Sequence, residues 1–263
     1  MIRTVVVGAG GRMGQSLLRL MPEFPPLSVH GAVDSPDSAL LGRDTGELCG
    51  GAPSGVRIRA DLTQALTGAQ LVIDFSRADT AAGTVAACVA ARTPLFLGTT
   101  GLPAQLQAAL DEAAGHIPLL VAANTSLGVT LLLRLVREAA AALGDAYDIE
   151  IVEAHHGRKL DAPSGTALAL ARAAAAGRGV PLEAVQAAAL RAGERIRGQI
   201  GLAVIRGGDV VGEHEVQFLG AGERLTLHHS ATDRSVFARG ALTAGRWLAS
   251  QPPGRYSMDD IFK

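Results

Sequence analysis

Three valines run directly into four glycines within seven residues, as Val5-Val6-Val7 leads to Gly8-Ala9-Gly10-Gly11-Arg12-Met13-Gly14. Thr4–Val7 is apolar and β-branched and stops at glycine, so it reads as a buried strand. Arg12–Met21 then sets Met13, Leu17, Leu18 and Met21 on one helical face. A strand, a glycine turn and a helix in that order bring backbone N–H groups and a helix N-terminus to one spot, where they can cradle a pyrophosphate. A second apolar run, Leu27–Val33, ends at Asp34, about 20 residues beyond Gly14, where a carboxylate can accept hydrogen bonds from both ribose hydroxyls of an adenosine. A structural turn beside a solvated aspartate is the plain alternative. The strand, the helix and the acid together favour a dinucleotide site.

The same alternation continues. Strands are expected at Val56–Arg59, Leu71–Phe75, Pro94–Leu97 and Leu119–Ala122, with helices near 61–67, 79–91 and 103–114 between them. Such βαβ units require a parallel sheet wound with helices on both faces, a Rossmann-type α/β fold. Ligands then lie beyond the carboxyl ends of the strands, which places Gly98-Thr99-Thr100-Gly101 beside the nicotinamide half of the crevice. The pattern changes after about residue 125. A helix near 127–143 leads to a strand Tyr147–Ala154, a polar loop His155–Pro163 and an alanine-rich helix from Ser164. Closely spaced strands follow at Ile200–Arg206, Glu213–Leu219 and Arg224–His229, the last two joined through Gly220-Ala221-Gly222. This predicts a second, α+β domain with a mostly antiparallel or mixed sheet. A last helix spans about Ser235–Ser250. Apolar residues in the second sheet, such as Val204, Val216, Phe218 and Leu225, are expected to need cover on both sides, which points to self-association.

Composition narrows the function classes. A net charge of −1, without a run of Lys or Arg, excludes a nucleic-acid footprint. Two cysteines, Cys49 and Cys88, make neither a disulfide framework nor a metal cage. The most hydrophobic stretch, Val129–Val136, is interrupted by Arg134, and no uncharged apolar stretch approaches the roughly 20 residues that span a bilayer. The opening residues lack a signal-peptide pattern, so a cytoplasmic chain is expected. With 3% aromatic residues, the core must be built from small and aliphatic side chains on closely packed elements.

The polar loop carries the chemistry. His155-His156-Gly157-Arg158-Lys159 puts two imidazoles and two cations between a strand and a helix, and Ser164-Gly165-Thr166 opens that helix with hydroxyls and N–H groups. Together they suit a carboxylate-bearing substrate, with a histidine able to donate a proton near neutral pH. Adjacent histidines and a solvated lysine in a surface loop are the plainer alternative. Zinc is not expected, because no short ligand spacing joins His214, His228 or His229, and the last two must point to opposite faces of their strand.

These segments together resemble the dihydrodipicolinate reductases, also called 4-hydroxy-tetrahydrodipicolinate reductases, of lysine and diaminopimelate synthesis. The resemblance runs nearly end to end, through Val7–Gly14, Asp74-Phe75-Ser76, Gly98–Gly101, Glu153-Ala154-His155-His156, Lys159–Leu168, Val211-Gly212-Glu213-His214 and Phe237–Leu242. It implies two domains, 1–126 with 235–263 for the dinucleotide and 127–234 for substrate, and a homotetramer built through the second sheet. It further implies hydride transfer from NADH or NADPH to a cyclic imine dicarboxylate. His155 matches the family's proton donor and Lys159 its catalytic lysine. Lys159 also falls, with His156, Ser164, Gly165 and Thr166, among the substrate contacts. Gly8, Ala9, Gly10, Gly11, Arg12, Met13, Asp34, Gly98, Thr99, Thr100, Ala122, Ala123, Asn124 and Thr125 match cofactor contacts, with Arg77 in reach of a 2′-phosphate. The chain departs from the commoner family pattern at Thr125, Thr130 and Gly157, which bears on fine contacts. At Ser35 some members carry arginine, so NADH is expected to be preferred over NADPH. Another two-domain amino-acid-pathway dehydrogenase, of the aspartate or homoserine type, would share the glycine turn but not the His155–Thr166 loop.

Overall fold

The computed structural model describes residues 1–187 and 193–263, which form two compact units, Met1–Ser126 with Ser235–Lys263 and Leu127–Arg234. The first unit alternates strand and helix: β1 (Ile2–Val7), α1 (Arg12–Leu20), β2 (Leu27–Val33), α2 (Thr45–Leu48), β3 (Ile58–Arg59), α3 (Leu62–Leu66), β4 (Leu71–Asp74), α4 (Ala81–Ala90), β5 (Leu95–Leu97), α5 (Leu106–Ala114) and β6 (Pro118–Val121). After the second unit the chain returns to it as α9 (Ser235–Leu248) and β11 (Gly254–Tyr256). Every pairing in its seven-stranded sheet is parallel, in the order β11-β6-β5-β4-β1-β2-β3.

Burial explains the sandwich. Val5, Val7, Val72, Leu95 and Leu97 point to one side, against Ala81, Val85 and Cys88 of α4 and Leu106 and Leu110 of α5. The other side of the sheet meets α9, whose inner face is Ala238, Ala241, Ala244 and Gly245. A Cβ on Gly245 would stand 3.1 Å from the side chains of Leu71 and Ile73, so this helix approaches the strands as closely as a small-residue face permits. The scarcity of aromatic residues is thus matched by backbones packed near contact. Each fully buried aliphatic side chain contributes about 1.5–3 kcal/mol.

The second unit consists of α6 (Leu127–Leu143), β7 (Asp148–His155), α7 (Gly165–Gly177), α8 (Leu182–Val185), β8 (Ile200–Arg206), β9 (Gly212–Leu219) and β10 (Arg224–Ala231). Its sheet is mixed, in the order β10-β9-β7-β8, with β7 and β8 parallel and the other pairs antiparallel. Leu132, Val136 and Ala140 of α6 and Ala167, Leu170, Ala171 and Ala174 of α7 cover Ile149, Ile151, Val216 and Phe218.

The register corrects one expectation. Val204 lies opposite Glu153, and Leu225 opposite Phe218, so Val204, Val216, Phe218 and Leu225 all belong to the helix-covered face. Val204 and Leu225 are 39% and 42% exposed because they sit on outer strands, not because they face away from the helices. The opposite face carries Glu150, Glu213, Glu215 and Gln217, with Val152, Ala203, the exposed Ile205, Arg224 and His228 among them. Val204 and Leu225 therefore give no argument for self-association, and the open face that remains is mixed, with apolar side chains beside its carboxylates.

Candidate active site

In the first unit the strand ends are level. Val7, Asp74, Leu97 and Val121 are in register across β1, β4, β5 and β6, which sets Gly8, Phe75, Gly98 and Ala122 side by side just beyond the sheet. Gly8 has φ +76°, and a Cβ there would meet the Phe75 carbonyl oxygen at 2.8 Å, so both its handedness and its lack of side chain are required. A Cβ on Gly14 would lie 2.1 Å from the Gly8 carbonyl oxygen, and one on Gly10 would lie 2.2 Å from Asp34 Oδ2. The turn is therefore bare backbone with the aspartate carboxylate immediately over it. Gly11 caps α1, whose first turn carries no acidic residue, leaving the Arg12, Met13 and Gly14 N–H groups without intrahelical acceptors.

Asp34 is held in place. Its backbone N–H donates to the Arg59 carbonyl at 2.9 Å, and its carboxylate accepts from the Ser35 N–H at 3.0 Å and the Ser38 hydroxyl at 2.8 Å. Arg12 and Ser35 are exposed nearby, whereas Arg77 is turned onto Asp79 in a two-point ion pair. Thr99 is buried and Thr100 exposed beyond β5. Ala123 is exposed and Asn124 half-buried beyond β6, and the Thr125 hydroxyl is spent on the Phe237 carbonyl at 2.7 Å. Beneath this edge Asp74 is fully buried, and its Oδ1 accepts from the Ser76 N–H at 2.7 Å. Burial pushes its carboxyl above the usual range, though bonds from Ser76, Thr84 and Thr99 act the other way.

In the second unit the helix-covered face of the sheet changes character along its length. Beyond Ile149 and Ile151 come Glu153 and His155 on the same side of β7, with His214 and Gly212 on β9 and Arg206 ending β8. His155 Nδ1 is 2.5 Å from Glu153 Oε2, and Glu153 Oε1 accepts from the Ser164 N–H at 3.0 Å. Arg206 grips the same carboxylate with both amino groups, at 2.7 and 2.8 Å. Burial alone raises the Glu153 carboxyl, but hydrogen bonds from Arg206, His155 and Ser164 outweigh it, and its pKa falls below the usual value. The His214 ring stands edge-on to His155 at 5.2 Å. Burial, with His155 beside it, pushes His214 down to about 4, so it is neutral at physiological pH.

The loop after β7 is anchored by the His156 N–H to the Val210 carbonyl at 2.8 Å and by the Lys159 N–H to the His156 carbonyl at 3.0 Å. Lys159 Nζ donates to Asp161 at 2.7 Å. His156 Nε2 is 3.2 Å from Arg234, and burial and the charges of Arg234, Arg158, His155 and Lys159 lower its pKa. Ser164 is buried as the cap of α7, its hydroxyl accepting from the Ala167 N–H at 3.1 Å and lying 3.2 Å from His214 Nε2. Gly165 and Thr166 open the helix toward solvent. Among the described residues, no group of three or more His, Cys, Asp or Glu side chains could hold a metal. No helix among them is long and apolar enough to cross a membrane.

Residues 2–125 match the family model described as Dihydrodipicolinate reductase, N-terminus, and residues 128–262 the one described as Dihydrodipicolinate reductase, C-terminus. The chain belongs to the dihydrodipicolinate reductase family. A 4-hydroxy-tetrahydrodipicolinate reductase of Anaeromyxobacter dehalogenans is 47% identical over 265 residues, covering 99% of this chain and 97% of its own. The one from Ruegeria pomeroyi is 48% identical over 259 residues, covering 98% and 96%. In fold, this dihydrodipicolinate reductase family member is similar to a dipicolinate-bound dihydrodipicolinate reductase from a Paenisporosarcina species, with a TM-score of 0.81 at 23% identity and 99% of each chain covered. An amine dehydrogenase from Mycobacterium smegmatis shares the fold more loosely, at a TM-score of 0.63 and 15% identity.

Glu153, Arg206, His214 and Arg234 are the side chains that sequence reasoning did not assign. The i, i+2 spacing of Glu153 and His155 on one strand was a usable signal for the first. Arg206 and His214 reach the site only through strand pairing, and Arg234 only through the fold around His156.

Proposed function

We propose that this chain reduces 4-hydroxy-tetrahydrodipicolinate, by way of dihydrodipicolinate, to tetrahydrodipicolinate in lysine and diaminopimelate biosynthesis. The observation that carries the proposal is the complete His155–Thr166 loop, on a chain that is 47–48% identical along its length to relatives bearing that name. The bare turn at Gly8–Gly14, with Asp34 above Gly10, fits a dinucleotide, since a Cβ at Gly10 or Gly14 would fill the cradle. Gly8–Met13 and Asp34 would hold the adenosine diphosphate half, and Gly98–Thr100 and Ala122–Asn124 the nicotinamide half. When bound, the reduced nicotinamide supplies a hydride to the conjugated imine. The 4-hydroxyl group leaves as water to give that conjugated imine. His155 supplies the proton that balances the hydride, so the overall change is gain of H₂ and loss of H₂O. Lys159, His156 and the opening N–H groups of α7 fix the two substrate carboxylates as cations and donors. The enzyme is proposed to be cytoplasmic and to assemble as a homotetramer through its second sheet, and light scattering at micromolar concentration should give a tetramer rather than a monomer.

Cofactor choice follows from charge. The Asp34 carboxylate suits ribose hydroxyls and repels a 2′-phosphate, while Arg77 is occupied by Asp79 and Ser35 is neutral. NADH is therefore the better reductant, with a higher kcat/KM than NADPH by a modest factor. Ser35→Arg shifts the ratio toward NADPH. Coupled assays, with substrate made in place from pyruvate and aspartate semialdehyde by a dihydrodipicolinate synthase, test both the reaction and the ratio. Absence of any cofactor oxidation would overturn the proposed activity.

Substrate charge gives a separate test. Lys159→Ala removes a charge-assisted contact worth about 1.5–3 kcal/mol, so pyridine-2,6-dicarboxylate should bind at least about tenfold more weakly. Unchanged inhibition by that analogue would place Lys159 outside the substrate pocket.

A further inference from the structure

We infer that Glu153, clamped by Arg206 and the Ser164 N–H, is a positioning residue that fixes the tautomer of His155 so that the proton leaves from Nε2. The inference rests on the reading of His155 as proton donor and adds what makes that donor directional.

Glu153 is only 1% exposed, and its two oxygens take four hydrogen bonds: Ser164 N–H and one Arg206 amino group on Oε1, His155 Nδ1 and the other Arg206 amino group on Oε2. An ionised carboxylate can only accept, so Nδ1 must carry hydrogen in both charge states of the ring. The nitrogen left to give up a proton is then Nε2. The surroundings keep that side clear. The strand residue facing it is Gly212, where a Cβ would sit 3.1 Å from Nε2 and 3.5 Å from Cδ2. The edge of His214 packs against the ring and holds its plane.

The clamp is more than a strut. A buried arginine–carboxylate pair by itself is often no more stabilising than apolar side chains of similar volume. This pair is built at the one point where a carboxylate oxygen meets Nδ1. The charged and titratable groups facing the ring are Glu153 from β7, Arg206 from β8, His214 from β9 with His229 of β10 beyond it, and His156, Lys159 and Asp161 from the loop. Glu153 supplies the negative charge in contact with the imidazole. Arg206 tempers it, and the Arg206 guanidinium also bonds the Asp161 carbonyl at 2.7 Å, tying the clamp to the Lys159 loop.

The test measures kcat and KM across pH for the full chain with NADH, alongside dissociation constants for NADH and pyridine-2,6-dicarboxylate and thermal melts. Glu153→Gln keeps the shape and removes the charge. Its kcat should fall about 10–100-fold near neutrality, as for loss of a histidine's orienting partner, with NADH binding retained. The alkaline limb of its profile should move to lower pH, because the imidazolium loses its counter-charge. Arg206→Met should move that limb the other way, because Glu153 is left uncompensated. Opposite shifts are not available to a residue that only supports the fold. A pH-independent loss in both variants, or native kcat in Glu153→Gln, overturns the inference. Should Arg206→Met fail to fold, nitrogen NMR of the unmodified chain decides the point. In its neutral form the His155 ring should show hydrogen on Nδ1, and hydrogen on Nε2 overturns the assignment. Native turnover in His155→Ala would instead remove the underlying reading. Loss in His155→Ala with an unchanged Glu153→Gln would remove this inference alone.

Discussion

Replacing His155 with alanine should lower kcat by about 10²–10⁴-fold while leaving the dissociation constant for NADH unchanged, the range usual for loss of a general acid. The imidazole lies in the second unit, on the polar end of β7, with Nδ1 committed to Glu153. Alanine removes the proton source and leaves a buried carboxylate that still has Arg206 and the Ser164 N–H. The fold should therefore survive, and the defect should appear in turnover. His214, though 5.2 Å away, cannot substitute, because burial keeps it neutral down to about pH 4. Single-turnover kinetics with saturating NADH provide the measurement. Near-native turnover in the variant would show that another group or water supplies the proton.

The second large effect is expected at Gly14. A Cβ there would stand 2.1 Å from the Gly8 carbonyl oxygen and 2.7 Å from Ala9 Cα. Both are backbone atoms, so no side-chain rotation relieves the clash, and α1 must move away from the end of β1. Forcing a methyl into such a contact costs about 1–3 kcal/mol. The larger consequence is for the cradle, whose N–H groups are displaced from the strand end. Gly14→Ala should weaken NADH binding by more than about tenfold and lower Tm by several degrees. Gly83→Ala is the matched control, because Gly83 lies in α4 with nothing within 4 Å of the added Cβ. That change should leave binding unaltered and stabilise slightly through helix propensity. Equal NADH affinity in Gly14→Ala and the unmodified chain would mean that the turn is not the dinucleotide site.

Much of this architecture is legible in the sequence because its signals are local. Thr4–Val7, the glycine turn and the apolar face of α1 declare a strand, a turn and a helix from neighbouring residues, and Asp34 follows at the spacing that one βαβ unit imposes. The Ser164 cap can be read in the same way, since its hydroxyl acts three residues along the chain. Legibility ends where pairing decides. Arg206 lies 53 residues from Glu153, and only the parallel register of β7 and β8 joins them. That register puts Val204 on the helix side, and the pairing of β10 with β9 puts Leu225 there, which period-two alternation within one strand cannot reveal without knowing its partner. Thr125 is a third case. Its hydroxyl goes to Phe237, 112 residues later, a partner that no local pattern announces.

That last hydrogen bond belongs to a unit whose chain is not continuous. On one face of the sheet built by residues 1–126, α1 covers β1, but over β4 and β5 the cover is α9, which follows the whole second unit in sequence. During synthesis, then, Leu71 and Ile73 have no helix to rest on until the ribosome has made more than a hundred further residues. The second unit, made in one piece, can settle first, while the older segment waits half-built with an apolar surface open to water. Contacts of such long separation are slow to close, and waiting surfaces of this kind invite association with other nascent chains. The unit whose translation begins first is thus the one whose chain is completed last.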